Sequence, residues 1–169
     1  ARTVQAMGLY PYFRSIEATV GNQVVCEGRR KIMIGSNNYL GLTIHPEVRQ
    51  QAMEAIAKFG TSLTGSRPLN GTHQLHEALE KDLADFFGRE SCLVFTTGYQ
   101  ANLGVLSALM TEGTTLIIDK ADHASIYDAT RQTASQVVAF RHNSPESLRT
   151  KLERLPRGQR NRLVVVEGL

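Results

Sequence analysis

The chain has 169 residues, a net charge of +3 and an apolar content of 41%, which suits one domain with its own core and argues against bulk disorder. No apolar run approaches membrane-spanning length, and the first residues carry no signal-peptide core. The two cysteines, Cys26 and Cys92, form no Cys-x-x-Cys pair and read as reduced thiols of a cytosolic protein.

Residues 1–20 read as an arm. TVGNQVVCEGRRKIMIGS reads as two strands around Glu27-Gly28, a small hairpin. SNNYLGL is dense in turn formers. HPEVRQQAMEAIAKFG reads as a helix with Val48, Ala52, Ile56 and Phe59 on one face and Gly60 as its stop. TSLTGSRPLNGT is a glycine-broken loop. HQLHEALEKDLADFFG is a second helix, expected to turn Leu75, Leu79, Leu83, Phe86 and Phe87 inward and to end at Gly88.

Beyond residue 90 the rhythm changes. SCLVF, TTLIID, QVVAF and RLVVVEGL read as strands. GYQANLGVLSALM, HASIYDATRQT and SPESLRTKLERL between them read as helices, the last with Ser144 as N-cap and Pro145 in its first turn. Short apolar strands alternating with helices predict an α/β fold with a mostly parallel sheet. Ligands in such sheets sit at the carboxyl ends of strands. The sequence stops at Glu167-Gly168-Leu169, where a functional loop would begin, so the chain is expected to be truncated, with an exposed edge strand.

Several residues are candidates for chemistry. GTSLTGSR resembles a P-loop, but Ser66-Arg67 stands where Lys-Ser/Thr belongs and a helix precedes it, which argues against a nucleoside triphosphate. TTGYQAN is placed to open a helix. The N–H groups of Gly98 and Tyr99 there either face an anion or simply make the strand-to-helix turn. His123 lies just past the strand TTLIID, on the same sheet edge if the strands are parallel. It either meets a flat ring and handles a proton, or caps a helix. Ser125 beside it makes no Ser-His-Asp relay, because spacing fixes no acid partner. His73 and His76 lack a third ligand at metal spacing and read as helix-surface or packing residues. His45 reads as a helix start and His142 as a cap on QVVAF. Asn37, Asn38 and Tyr39 offer either turn chemistry or amide contacts to a substrate. Residues 141–162 hold seven Arg or Lys against two Glu. With no aromatic residue among them, they read as a solvated helix face rather than a nucleic-acid surface.

Together, IGSNNYLGL, GTSLTGSRPLNGT, HEALE, FTTGYQANLG, DHASIYDAT, FRHNSPESL and VVVEGL resemble, in order and spacing, the α-oxoamine synthases. These are pyridoxal 5′-phosphate (PLP) enzymes of the fold-type I aminotransferase class. The resemblance runs from about Tyr10 to Leu169. It implies that Gly98 and Tyr99 hold the cofactor phosphate, with Ser66 in a loop brought to the dimer interface as a further cofactor residue. It implies that His123 is catalytic, stacking on the pyridine ring and contacting the substrate carboxylate. Asn37 would reach that carboxylate from the partner subunit. No metal is implied. The Schiff-base lysine matches none of Lys31, Lys58, Lys81, Lys120 or Lys151 and is expected downstream, so these 169 residues alone are expected to be inactive.

The arm LYPYFRSIE with GSNNYLGL and TGSRPLNGT is most similar to bacterial members that condense L-serine with a long-chain acyl thioester, losing carbon dioxide to give 3-oxosphinganine. Siblings that use glycine or alanine share most of these motifs, and some family subunits are non-catalytic partners. The implied partners are an amino acid, an acyl-CoA or acyl-carrier protein, and a second copy in a homodimer with a shared active site. The implied setting is the cytoplasm; nucleic acid is not expected, and nothing in the residues supports contact with a membrane surface. The segments read as an arm and hairpin over 1–45, a helical lead-in with the interface loop over 46–90, and the incomplete first part of the large PLP-binding domain over 91–169.

Overall fold

The computed structural model describes residues 2–10, 12–132, 136–158 and 161–168. Its contacts divide the chain into two units, Ala1–Thr72 and His73–Leu169. Ala1, Pro11, Thr133, Gln159, Arg160 and Leu169, which belong to segments read above, lie outside the described residues.

The first unit opens with a short helix, α1 (Arg2–Ala6), where the sequence suggested only an arm. The expected two-strand hairpin is a three-strand antiparallel sheet, β1 (Ala18–Val20), β2 (Gln23–Cys26) and β3 (Arg29–Ile32). The extra strand exists because Gly21, at φ 61°, turns the chain so that Val20 pairs with Gln23. The second turn needs positive φ at both central residues, as Glu27 (57°) and Gly28 (67°) supply. A 3-10 turn, Leu42–Ile44, leads into α2 (Pro46–Phe59), which starts on Pro46 and ends at Gly60 with φ 78°.

The second unit contains α3 (Gln74–Phe87), α4 (Gly98–Leu109), β4 (Thr115–Asp119), α5 (Ala124–Arg131), β5 (Gln136–Phe140), α6 (Pro145–Glu153) and β6 (Arg162–Val165). β4 lies between β5 and β6, parallel to both. It is buried along its whole length. Its pleat sends Leu116 and Ile118 to one face, where Leu106 and Met110 from the α4 end and Ile126 and Ala129 of α5 cover them. Ile117 goes to the other face, with Phe140, Leu155, and Leu148 and Leu152 of α6. Each fully buried aliphatic side chain contributes about 1.5–3 kcal/mol, so β4 is the mechanical centre of the unit.

Two further expectations fail. SCLVF forms no strand, because a strand needs a hydrogen-bonded neighbour and none of the described residues pairs with 91–95. The Glu80 carboxylate instead accepts the Val94 N–H at 2.8 Å. On α3, Ala84 is buried and Leu83 half-buried, but Leu75, Leu79, Phe86 and Phe87 stay exposed rather than turning inward. An apolar stripe is buried only where a second layer lies on it, and the described residues provide none over that part of α3.

Candidate functional site

The carboxyl edge of the parallel sheet gathers the polar residues. Thr97 caps α4: its hydroxyl accepts the Gln100 N–H at 3.1 Å, and its carbonyl accepts from Ala101. The N–H groups of Gly98 and Tyr99, in the first turn, find no acceptor among the described residues. A Cβ placed on Gly98 would meet nothing within 4 Å, so the helix start faces open space.

Tyr99 and His123 meet edge to face, with ring centroids 6.3 Å apart and planes at 82°. The Tyr99 hydroxyl donates to Asp128, which also takes Arg131 at 3.0 Å. That hydrogen bond to Asp128 raises the Tyr99 hydroxyl above the usual tyrosine value, so it stays protonated.

His123 is the N-cap of α5, and its Nδ1 accepts from the Ser125 N–H at 3.2 Å. The Ser125 hydroxyl lies 2.7 Å from the same nitrogen and accepts from Asn102 Nδ2 at 2.9 Å. An Nδ1 that accepts leaves the neutral ring its proton on Nε2. Ser125 is wholly buried, so this Asn102–Ser125 relay fixes the tautomer of a ring that is itself exposed. Ser125 thus contacts the histidine through both its hydroxyl and its backbone N–H.

Behind His123 lies an acidic group. Asp119 ends β4 and is buried. Its carboxylate accepts from Ala121 N (2.8 Å), Asn143 N (3.0 Å) and His142 Nδ1 (2.9 Å). Burial pushes that carboxyl up, but the two backbone N–H groups and His142 outweigh it and hold the value below the usual aspartate range. Asp122 is pushed up, first by burial and then by the Asp119 charge. The Glu167 carboxylate accepts the His123 N–H. A cavity of about 480 Å³ opens beside this group, walled by Phe140, Leu148 and Val166 with Asp119, His142 and Glu167.

The other candidates have separate places. Asn37 is exposed, next to Asn38, whose side chain is spent on Thr43 at 2.9 Å. Ser66 is exposed, and its carbonyl closes a loop by accepting from Leu69 and Gly71. A Cβ on Gly71 would lie 2.0 Å from the Gly65 carbonyl oxygen, so the glycines there serve a backbone crossing. His73 and His76 form a reciprocal capping box at the start of α3. His45 begins α2 without a side-chain cap bond, and His142 joins β5 to β4 through Asp119. The sequence reading missed Asp119, Asp128, Asn102 and Glu167. A charged residue closing an apolar run, Asp119 at the end of β4 and Glu167 just past β6, was the available signal.

The aminotransferase class I and II family matches residues 29–169. The chain belongs to that family. It is 43% identical to a serine palmitoyltransferase of Sphingobacterium spiritivorum, over 98% of this chain and 41% of that protein. It is 39% identical to an 8-amino-7-oxononanoate synthase of Geobacter sulfurreducens, over 98% of this chain and 42% of that protein. The solved Sphingomonas wittichii serine palmitoyltransferase superposes with a TM-score of 0.92 at 42% identity, over 99% of this chain and 42% of that one. A serine palmitoyltransferase solved with PLP gives 0.90 at 40% identity, over 99% of this chain and 42% of that one. The chain thus spans about two fifths of the length of these relatives. For this member of the aminotransferase class I and II family, the expected fold-type I α/β architecture and the likeness to α-oxoamine synthases both hold. Among the described residues, no helix is long and apolar enough to cross a membrane.

Proposed function

We propose that the chain is the N-terminal part of a PLP-dependent acyltransferase that condenses L-serine with a long-chain acyl thioester, releasing carbon dioxide and 3-oxosphinganine. One observation carries the reading: two unpaired N–H groups open α4 at the sheet's carboxyl edge, with the His123 ring beside Tyr99. The likeness to serine palmitoyltransferases over nearly the whole chain supports the choice of substrate.

The residues present fit the cofactor. A phosphate dianion suits a helix start with unpaired N–H groups and open space in front of Gly98. When bound, PLP supplies an electron sink for the carbanion at Cα. In this reading Gly98 and Tyr99 bind the phosphate, and the Thr97 cap holds their turn in place. His123 offers its ring face to a planar group, and its Nε2–H can donate to the substrate carboxylate. The Asn102–Ser125 relay keeps that proton on Nε2. Asn37, from the partner subunit, binds the same carboxylate, and Ser66 lies in the loop at the interface of a homodimer. Residues 91–169 form the first part of the PLP-binding domain. The cofactor-bonding lysine is none of the five in this chain, which alone would be inactive. The setting is cytoplasmic.

The test is to express the full open reading frame and follow 3-oxosphinganine formation from L-serine and palmitoyl-CoA. A cofactor absorbance that responds to L-serine, with turnover, is expected. His123→Ala should lower kcat/KM for serine about 100-fold or more, the scale of lost positioning and acid–base help. Wild-type kinetics in that variant would remove the role from His123. The 39% relative favours one sibling reading, an alanine-using synthase. Turnover with alanine or glycine but not serine would move the chain there.

A further inference from the structure

The strands of the parallel sheet converge on one acidic group, and the reaction above does not use it. Asp119 N–H donates to Asp122 Oδ2 at 2.9 Å. The Glu167 carboxylate accepts the N–H of His123. The loop that carries His123 is therefore tied to the ends of both β4 and β6. His123 itself is exposed, and the Tyr99 ring meets it only edge to face. Its hydrogen-bonded anchors are Ser125 at Nδ1 and Glu167 at the backbone N–H. Three carboxyls at one edge repel one another, and cohesion alone is obtained more simply from apolar packing.

We propose that Glu167 is a positioning residue for His123, clamping its backbone so that the ring keeps one direction at the site. The inference rests on the reading of His123 given above. Glu167 touches the His123 backbone and not the ring, so it acts through that residue. An acceptor oxygen at the Glu167 position is what the clamp requires. Glutamine supplies one, and alanine does not.

The experiment compares Glu167→Ala and Glu167→Gln in the full open reading frame. The first measurement is the ring-nitrogen NMR resonances of His123 in the cofactor-free protein, assigned by their loss in His123→Ala. Glu167→Ala should shift them, and Glu167→Gln should leave them close to wild type. In turnover, Glu167→Ala should lower kcat/KM for L-serine at least tenfold with KM for the thioester unchanged, and Glu167→Gln should recover most of the loss. A merely structural role would lower the melting temperature of Glu167→Ala while leaving the ring resonances and the serine kinetics alone, and that result overturns the proposal. Equal ring shifts in the alanine and glutamine variants also overturn it. If Glu167→Ala does not fold, Glu167→Asp, which retracts the carboxylate by one methylene, replaces it with the same readouts. Absence of turnover in the wild type would sink the proposed reaction, while the ring resonances would still decide the clamp.

Discussion

Ser144 shows how much one hydroxyl can organise. It caps α6 by accepting from Ser147 N, takes a bond from Arg141 at 2.9 Å and donates to Glu146 at 3.1 Å. Ser144→Ala should cost about 1–2 kcal/mol, as lost N-caps do, read from the midpoint of urea unfolding. Thr115 is the opposite case. Its hydroxyl is buried without a partner among the described residues, in the centre of the sheet. Thr115→Val keeps the shape and removes the unpaired group, so it should raise stability by about 1 kcal/mol. A loss of stability in that variant would show that the hydroxyl has an unseen partner.

At the scale of elements, β4 governs the second unit. Leu116, Ile117 and Ile118 have no exposed surface and seal both faces of the sheet. Ile118→Ala should cost about 2–5 kcal/mol by lost transfer energy and a cavity. The exposed Val164 of β6, at 40% accessibility, should tolerate the same change far better. Besides the buried Leu106 and Met110, the α4 helix makes a close approach to the segment before it. A Cβ on Gly104 would lie 2.8 Å from the Phe95 ring. Gly104→Ala should therefore cost about 1–3 kcal/mol by overpacking, visible as a lower melting temperature. A ring that swings aside would leave stability unchanged and disprove the constraint.

At the scale of the whole molecule, acidity should act on the second unit through Asp119 and Asp122, in opposite senses. Asp119 is held below the usual aspartate value, so its stabilising effect is complete above that value and fades as pH falls through the depressed one. Asp122 is held above it, so its cost at neutral pH is relieved as pH falls through the raised value. Unfolding midpoints measured from neutral pH downward should stay level or rise slightly, then fall steeply in strong acid. Asp119→Asn should lower the midpoint at neutral pH and flatten the steep part. An unchanged acid limb in that variant would show that other carboxyls control it.

The sequence by itself determined the helices from Pro46, Gly98 and Pro145, the core strands TLIID and QVVAF, and their parallel arrangement. Their signals are local: caps, glycine stops and apolar runs that fix backbone geometry over a few residues. It also singled out Gly98 and Tyr99, because the first N–H groups of a helix have no acceptor within it, and His123, because it closely follows an apolar strand. Only the tertiary structure decided what depends on a neighbour. Among the described residues SCLVF lacks a pairing partner and is no strand, and most of the apolar stripe of α3 has no covering layer and stays exposed. The Asp119–His142, Asn102–Ser125 and Glu167–His123 contacts join residues at least 23 positions apart, which no local pattern encodes. Side-chain identity sets what a residue can do, and the packing of distant strands sets which partner it does it with.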